Sequence, residues 1–130
     1  MKQYYFLILP VLMLCMACDD VTTSDLVGKW QLKTVEKNGT ETVVDTVWYN
    51  FQSESVFLMQ IYVSQGDDYL FLYGLKRQND NNLSIRLEFE DHIESSDWES
   101  RERSFTIEKL SKKKLTLRSE DGYLYSFIKF

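Results

Sequence analysis

Few side chains in this chain are equipped for covalent chemistry. His92 is the only histidine, and the two cysteines, Cys15 and Cys18, both lie within the first 18 residues. A nucleophile–base pair would have to use His92, which sits in the polar stretch Asp91-His92-Ile93-Glu94 and reads as an exposed loop residue. Carboxylates are plentiful at Asp67-Asp68, at Asp80 and from Glu88 to Glu99. They fall at turns and on solvated strand faces, and neither Asp67-Asp68 nor Asp80-Asn81-Asn82 has the spacing of a known calcium loop. No glycine-rich phosphate cradle is present. The residue types exclude thiol chemistry and thiolate metal sites from the region after Cys18, and they imply neither cofactor nor enzyme.

The first 17 residues have their own logic. A basic start at Lys2 precedes an apolar run from Tyr4 to Ala17, shorter than the ~20 residues a membrane-spanning helix needs but suited to an export signal. The run ends Leu14-Cys15-Met16-Ala17-Cys18, which resembles the lipobox of bacterial lipoproteins. That resemblance implies cleavage before Cys18 and acylation of Cys18. Asp19-Asp20 resembles the acidic signal that sends lipoproteins of Bacteroidetes-type bacteria to the cell surface. The expected organisation is a signal peptide at 1–17, a lipidated tether at 18–25 and one domain at 26–130. The expected location is the outer membrane, on either face.

The full chain carries a net charge of −5, and losing Lys2 with the leader makes the remainder more acidic still. Nucleic acid is therefore not an expected partner, because basic side chains supply most of the affinity for phosphate backbones. With 44% hydrophobic and 15% aromatic residues, the chain can build a core.

Any binding residues must be positioned by strands. Val27–Lys37 alternates in polarity and meets Asn38-Gly39, a hairpin signal. Val43–Gln52 and Ser55–Gln65 follow, and Gly66-Asp67-Asp68 turns the chain into Tyr69–Gln78. Leu83, Ile85, Leu87 and Phe89 alternate with polar residues. The segment Asp91–Ser104 reads as a long loop or a single helical turn. Phe105–Leu110, Lys114–Ser119 and Tyr123–Phe130 complete about eight strands, which predicts an all-β, antiparallel up-and-down barrel or a sandwich.

Gly28-Lys29-Trp30 selects the barrel. It resembles the Gly-x-Trp signature on the first strand of lipocalins and of the lipocalin-like lipoproteins of Bacteroidetes-type bacteria. The resemblance implies that Gly28 and Trp30 close one barrel end and that a basic residue from a late strand, Arg118 or Lys129, packs across the indole. It also implies a small apolar or amphipathic ligand in the barrel, with Tyr49, Phe57, Tyr62, Phe71 and Tyr73 as inward-facing candidates. A packed lumen would contradict that site. The alternative function is a protein-interaction module, either an inhibitor or an accessory subunit of an envelope complex.

Val56–Val63 and Tyr69–Tyr73 are apolar on both faces, and one face of each must be covered by something other than the lumen. The expected covers are the Asp91–Ser104 segment with Trp98 as its plug, a second copy, an envelope partner or membrane. A transmembrane barrel is disfavoured, because Phe105–Leu110 is too short to span.

Overall fold

The computed structural model describes residues 23–130. The leader, Cys18 and most of the tether lie outside the described residues. A one-turn helix, α1 (Thr23–Leu26), leads into nine strands: β1 (Gly28–Lys37), β2 (Thr40–Val43), β3 (Val47–Phe51), β4 (Val56–Val63), β5 (Asp68–Asn79), β6 (Asn82–Leu87), β7 (Glu102–Leu110), β8 (Lys114–Ser119) and β9 (Leu124–Lys129). A short 3-10 turn, Ile93–Ser95, interrupts the segment between β6 and β7.

All pairings are antiparallel: from β3 to β9 each strand pairs with the next in sequence, β1 pairs with both β2 and β3, and β1 pairs with β9 to close the sheet. The first half of β1 pairs with β3 and the second half with β2, so β2 and β3 share one strand position. The result is a closed eight-position up-and-down barrel. Closure removes the free edges that would otherwise template aggregation.

Turn chemistry matches the sequence. The hairpin between β1 and β2 places Asn38 and Gly39 at φ 54° and 81°, the left-handed pair that matches strand twist. Asp80 turns β5 into β6 at φ 55°. β7 begins earlier than its sequence pattern predicts, at Glu102, because its first inward position is taken by a buried arginine, Arg103. Its length therefore no longer argues against membrane insertion. The outward faces of β7 and β8 do, since they carry Ser104, Thr106, Glu108, Thr116 and Arg118.

Alternation sets which side chains fill the barrel. Tyr49, Phe51, Phe57, Met59, Leu72, Leu83, Ile85, Phe105, Leu117, Tyr125 and Phe127 are all buried in one cluster. Rings touch through its middle: Tyr49–Phe57 at 5.3 Å and Phe105–Tyr125 at 5.8 Å edge to face, and Tyr49–Phe127 at 4.9 Å tilted, between centroids. Eight strands enclose a space that side chains alone can fill, and here rings fill its middle.

Candidate functional site

The two ends of the barrel are closed by different devices. At the floor, α1 crosses under the barrel with Leu26 fully buried. The Trp30 indole N–H donates to the Leu26 carbonyl at 2.9 Å. Lys129, from the end of β9, places its amine 4.5 Å from the centroid of the Trp30 ring and donates to the Val27 carbonyl at 3.1 Å. Gly28 makes this possible. Its φ is 141°, and a Cβ there would collide with the Lys129 amine.

Lys129 is thus the basic partner of Trp30. Arg118 is not. It points outward from β8, bonds both oxygens of Glu108 at 2.5 and 3.2 Å and donates to the Gly122 carbonyl. Register decides between them, because inward positions on β8 fall to Leu115, Leu117 and Ser119. The pairing with Arg118 holds the Glu108 carboxyl below its usual range.

At the mouth, the segment 88–101 folds over the open end and inserts Trp98. Its indole N–H donates to the Tyr49 hydroxyl at 2.9 Å, and its ring stacks near Phe57 at 6.3 Å. Asp97 beside it accepts from the Tyr125 hydroxyl and from Arg103 at 3.3 Å. The Arg103 guanidinium lies 4.8 Å from the Tyr125 ring centroid and 6.0 Å from that of Trp98. Burial works against its charge, but Tyr49, Tyr125 and Asp97 more than offset it. Burial, with Asp97 adding to it, pushes the Tyr49 hydroxyl well above the ordinary phenol range, and burial with the bond to Asp97 does the same to Tyr125. Both phenols stay protonated and available as donors.

Trp98 is a plug, as the sequence predicts, but it covers the lumen rather than the outer face of β4 and β5. Arg103 and Asp97 were not singled out by the sequence. The only signal was a charged residue at an inward parity of β7.

The five ligand candidates divide. Tyr49 and Phe57 point inward and are buried among other rings. Tyr62, Phe71 and Tyr73 do not point inward, a correction to the expected lining. The inward set on β4 and β5 is Phe57, Met59, Ile61, Leu72 and Gly74. Both parities of these strands are apolar, and the lumen already holds Tyr49, Phe51, Phe57 and Trp98. Small residues fit there, so the large rings of β5 go outside.

Among the described residues the rings of Tyr49, Phe51, Phe57, Trp98, Phe105 and Phe127 occupy the middle of the barrel, which leaves little room for a ligand deep inside it. What remains is a cleft of about 320 Å³ at the mouth, between the β1–β3 wall and the lid. Leu32, Val35, Val47, Tyr49 and Met59 make its floor; Lys37, Thr42, Thr46, Ser95, Ser96 and Asp97 make its rim. Hollows of about 390 and 400 Å³ also lie on the outer wall over β5–β8. They are surface grooves lined largely by Arg, Asn, Ser and Glu, whereas the mouth cleft opens directly onto the core.

Lys76 is a second inward charge, on β5. Its amine is buried with no hydrogen-bond partner among the described residues and lies 6.0 Å from the Phe51 ring. Burial lowers its pKa. His92 is an exposed lid residue in the left-handed region. Among the described residues no three His, Cys, Asp or Glu side chains are grouped to hold a metal.

A closed up-and-down barrel, floored by a tryptophan under a lysine and lidded by a loop, is a lipocalin-like fold, a frame that typically binds rather than catalyses. The chain belongs to the family of lipocalin-like domains, whose model matches residues 12–130. It is similar to the crystal structure of a lipocalin-like protein from Bacteroides uniformis, with 29% identity and a TM-score of 0.72, over 82% of this chain and 99% of that one. It is also similar to the structure of an uncharacterized protein from Bacteroides eggerthii, with 29% identity and a TM-score of 0.69, over 80% and 98% of the two chains. No curated protein matches the sequence.

Proposed function

We propose that this chain is a lipid-anchored, lipocalin-like binding lipoprotein of the outer membrane, and that it takes a small amphipathic ligand at the mouth of the barrel. The mouth cleft carries the reading. It has an apolar floor contiguous with the core and a polar rim to which the lid contributes Ser95, Ser96 and Asp97, the combination expected of small-molecule sites. The volume suits a small ligand, with its apolar part against Val35, Val47 and Met59 and its polar part towards Lys37 and the lid serines. Anchoring rests on the Ala17-Cys18 junction alone.

The test uses 1-anilinonaphthalene-8-sulfonate as an amphipathic probe. Wild-type chain should bind it at micromolar concentration, and Val47→Trp, which fills the cleft, should abolish that binding while leaving the melting temperature close to wild type. Undiminished binding by Val47→Trp would overturn the mouth site. Anchoring has its own test. Cys18→Ala should release the chain from the membrane fraction, and persistence there would sink the anchor.

The second reading is a protein-interaction module. The packed middle of the barrel favours it, because a cavity confined to the mouth leaves most of the molecule to act through its surface. Specific co-purification of an envelope protein, lost when Lys37 and Thr42 at the mouth rim are both changed to Glu, would favour this reading over the first.

A further inference from the structure

Strand β5 presents an uncovered outer row. Tyr69, Phe71, Tyr73 and Leu75 are 42%, 50%, 53% and 64% exposed, and Phe89 beside them is 64% exposed. Neighbouring apolar groups are already covered: Trp48 is packed by the edges of Tyr69 and Phe130, and Leu58 is buried. A fully buried ring covers ~150–250 Å², so the row exposes on the order of 500 Å². That is the upper end for a patch on a monomer, and more than half of the ~800 Å² each partner gives to a standard interface.

The charges flanking the row are polarised. Asp67 closes its upper end, held on the outer face by a 2.7 Å bond from the Tyr62 hydroxyl. Arg77 closes its lower end, and Arg86, paired in register with Leu75, adds a second cation there. Neither arginine has an ion pair among the described residues.

We infer that the outer face of β5 is a homodimer interface in which two copies pack antiparallel about a two-fold axis beside Leu72. The occupant is chosen by charge. About that axis Phe71 faces Tyr73 of the second copy, Tyr69 faces Leu75, and Asp67 faces Arg77, each pairing occurring twice. A parallel arrangement would set Asp67 against Asp67. An anionic membrane surface would repel the Asp67 end. The inference stands independently of the mouth site, which lies at the barrel's end rather than on its wall.

Sedimentation equilibrium on the chain as expressed, in density-matched detergent, tests it. The wild type should sediment as two chains, and Phe71→Glu as one. Asp67→Arg and Arg77→Asp should each weaken association roughly tenfold, because each disrupts two pairs per dimer, and the double variant should recover most of it. Circular dichroism melts separate loss of association from loss of fold. A single chain at every concentration overturns the inference, as does a double variant no tighter than either single one. Monomeric binding to phosphatidylglycerol vesicles, lost in Phe71→Glu, would overturn it in favour of a membrane face.

Discussion

Floor and mouth of this barrel are both closed by an indole beside a cation, yet they are held by different bonds. Trp30 and Lys129 donate to backbone carbonyls, of Leu26 and Val27, on elements joined to the barrel wall. Trp98, Asp97 and Arg103 are held by side-chain hydroxyls and charges, and Trp98 and Asp97 sit on a loop. Those backbone acceptors cannot leave without displacing α1 and the residue that joins it to β1. Side-chain partners can swing away while the wall stays intact. The floor is therefore structural, and the mouth is the end that can open.

The largest effect that would test this contrast is Trp30→Ala. It removes a fully buried indole from a floor that cannot collapse, and should cost about 3–5 kcal/mol by denaturant unfolding. Trp98→Ala should cost less, about 2–3 kcal/mol, because the loop can settle into the space or admit water. The same variant should increase binding of the anilinonaphthalene probe, and an equal or larger loss of stability than Trp30→Ala would break the comparison. Gly28→Ala forces a side chain to φ 141° and displaces Lys129 from the indole, for about 1–3 kcal/mol. It should leave probe binding at the mouth unchanged.

The mouth should also be the alkali-sensitive end. Tyr49 keeps its proton in the folded chain above the ordinary phenol value of 10.0, so the folded state binds more protons than the unfolded one. Its contribution is fully present below pH 10.0 and is lost as pH rises beyond it, at about 1.4 kcal/mol per pH unit. Tyr49→Phe should flatten that slope in pH-dependent melts. Arg118→Ala should have the smallest effect, as for an exposed ion pair. A loss comparable to Gly28→Ala would mean that Arg118 supports the floor after all.

Strand order and most turns were legible in the sequence, because Leu83, Ile85 and Leu87 alternate cleanly and Asn38-Gly39 and Asp80 carry turn chemistry. The parity of β4 and β5 was not. Where both faces are apolar, alternation carries no direction, and lumen volume decides instead. The floor motif was half legible: Gly28 and Trp30 are local, but choosing Lys129 over Arg118 needs the register of β8 and β9. The lid lock was least legible, because Trp98 and Tyr49 are brought together by a loop with no repeating pattern. Residues 1–17 and Cys18 are read from sequence alone.

The pairing of β1 with β9 has a consequence for how the molecule is made. Lys129 reaches Val27 across 102 positions of sequence, so the first strand finds its last neighbour only once β9 has been made. Until then β1 and β8 are open edges, and contacts of such long range form slowly. The ring is completed by β9. Deleting the residues of β9 should therefore trap a barrel that is assembled but never sealed.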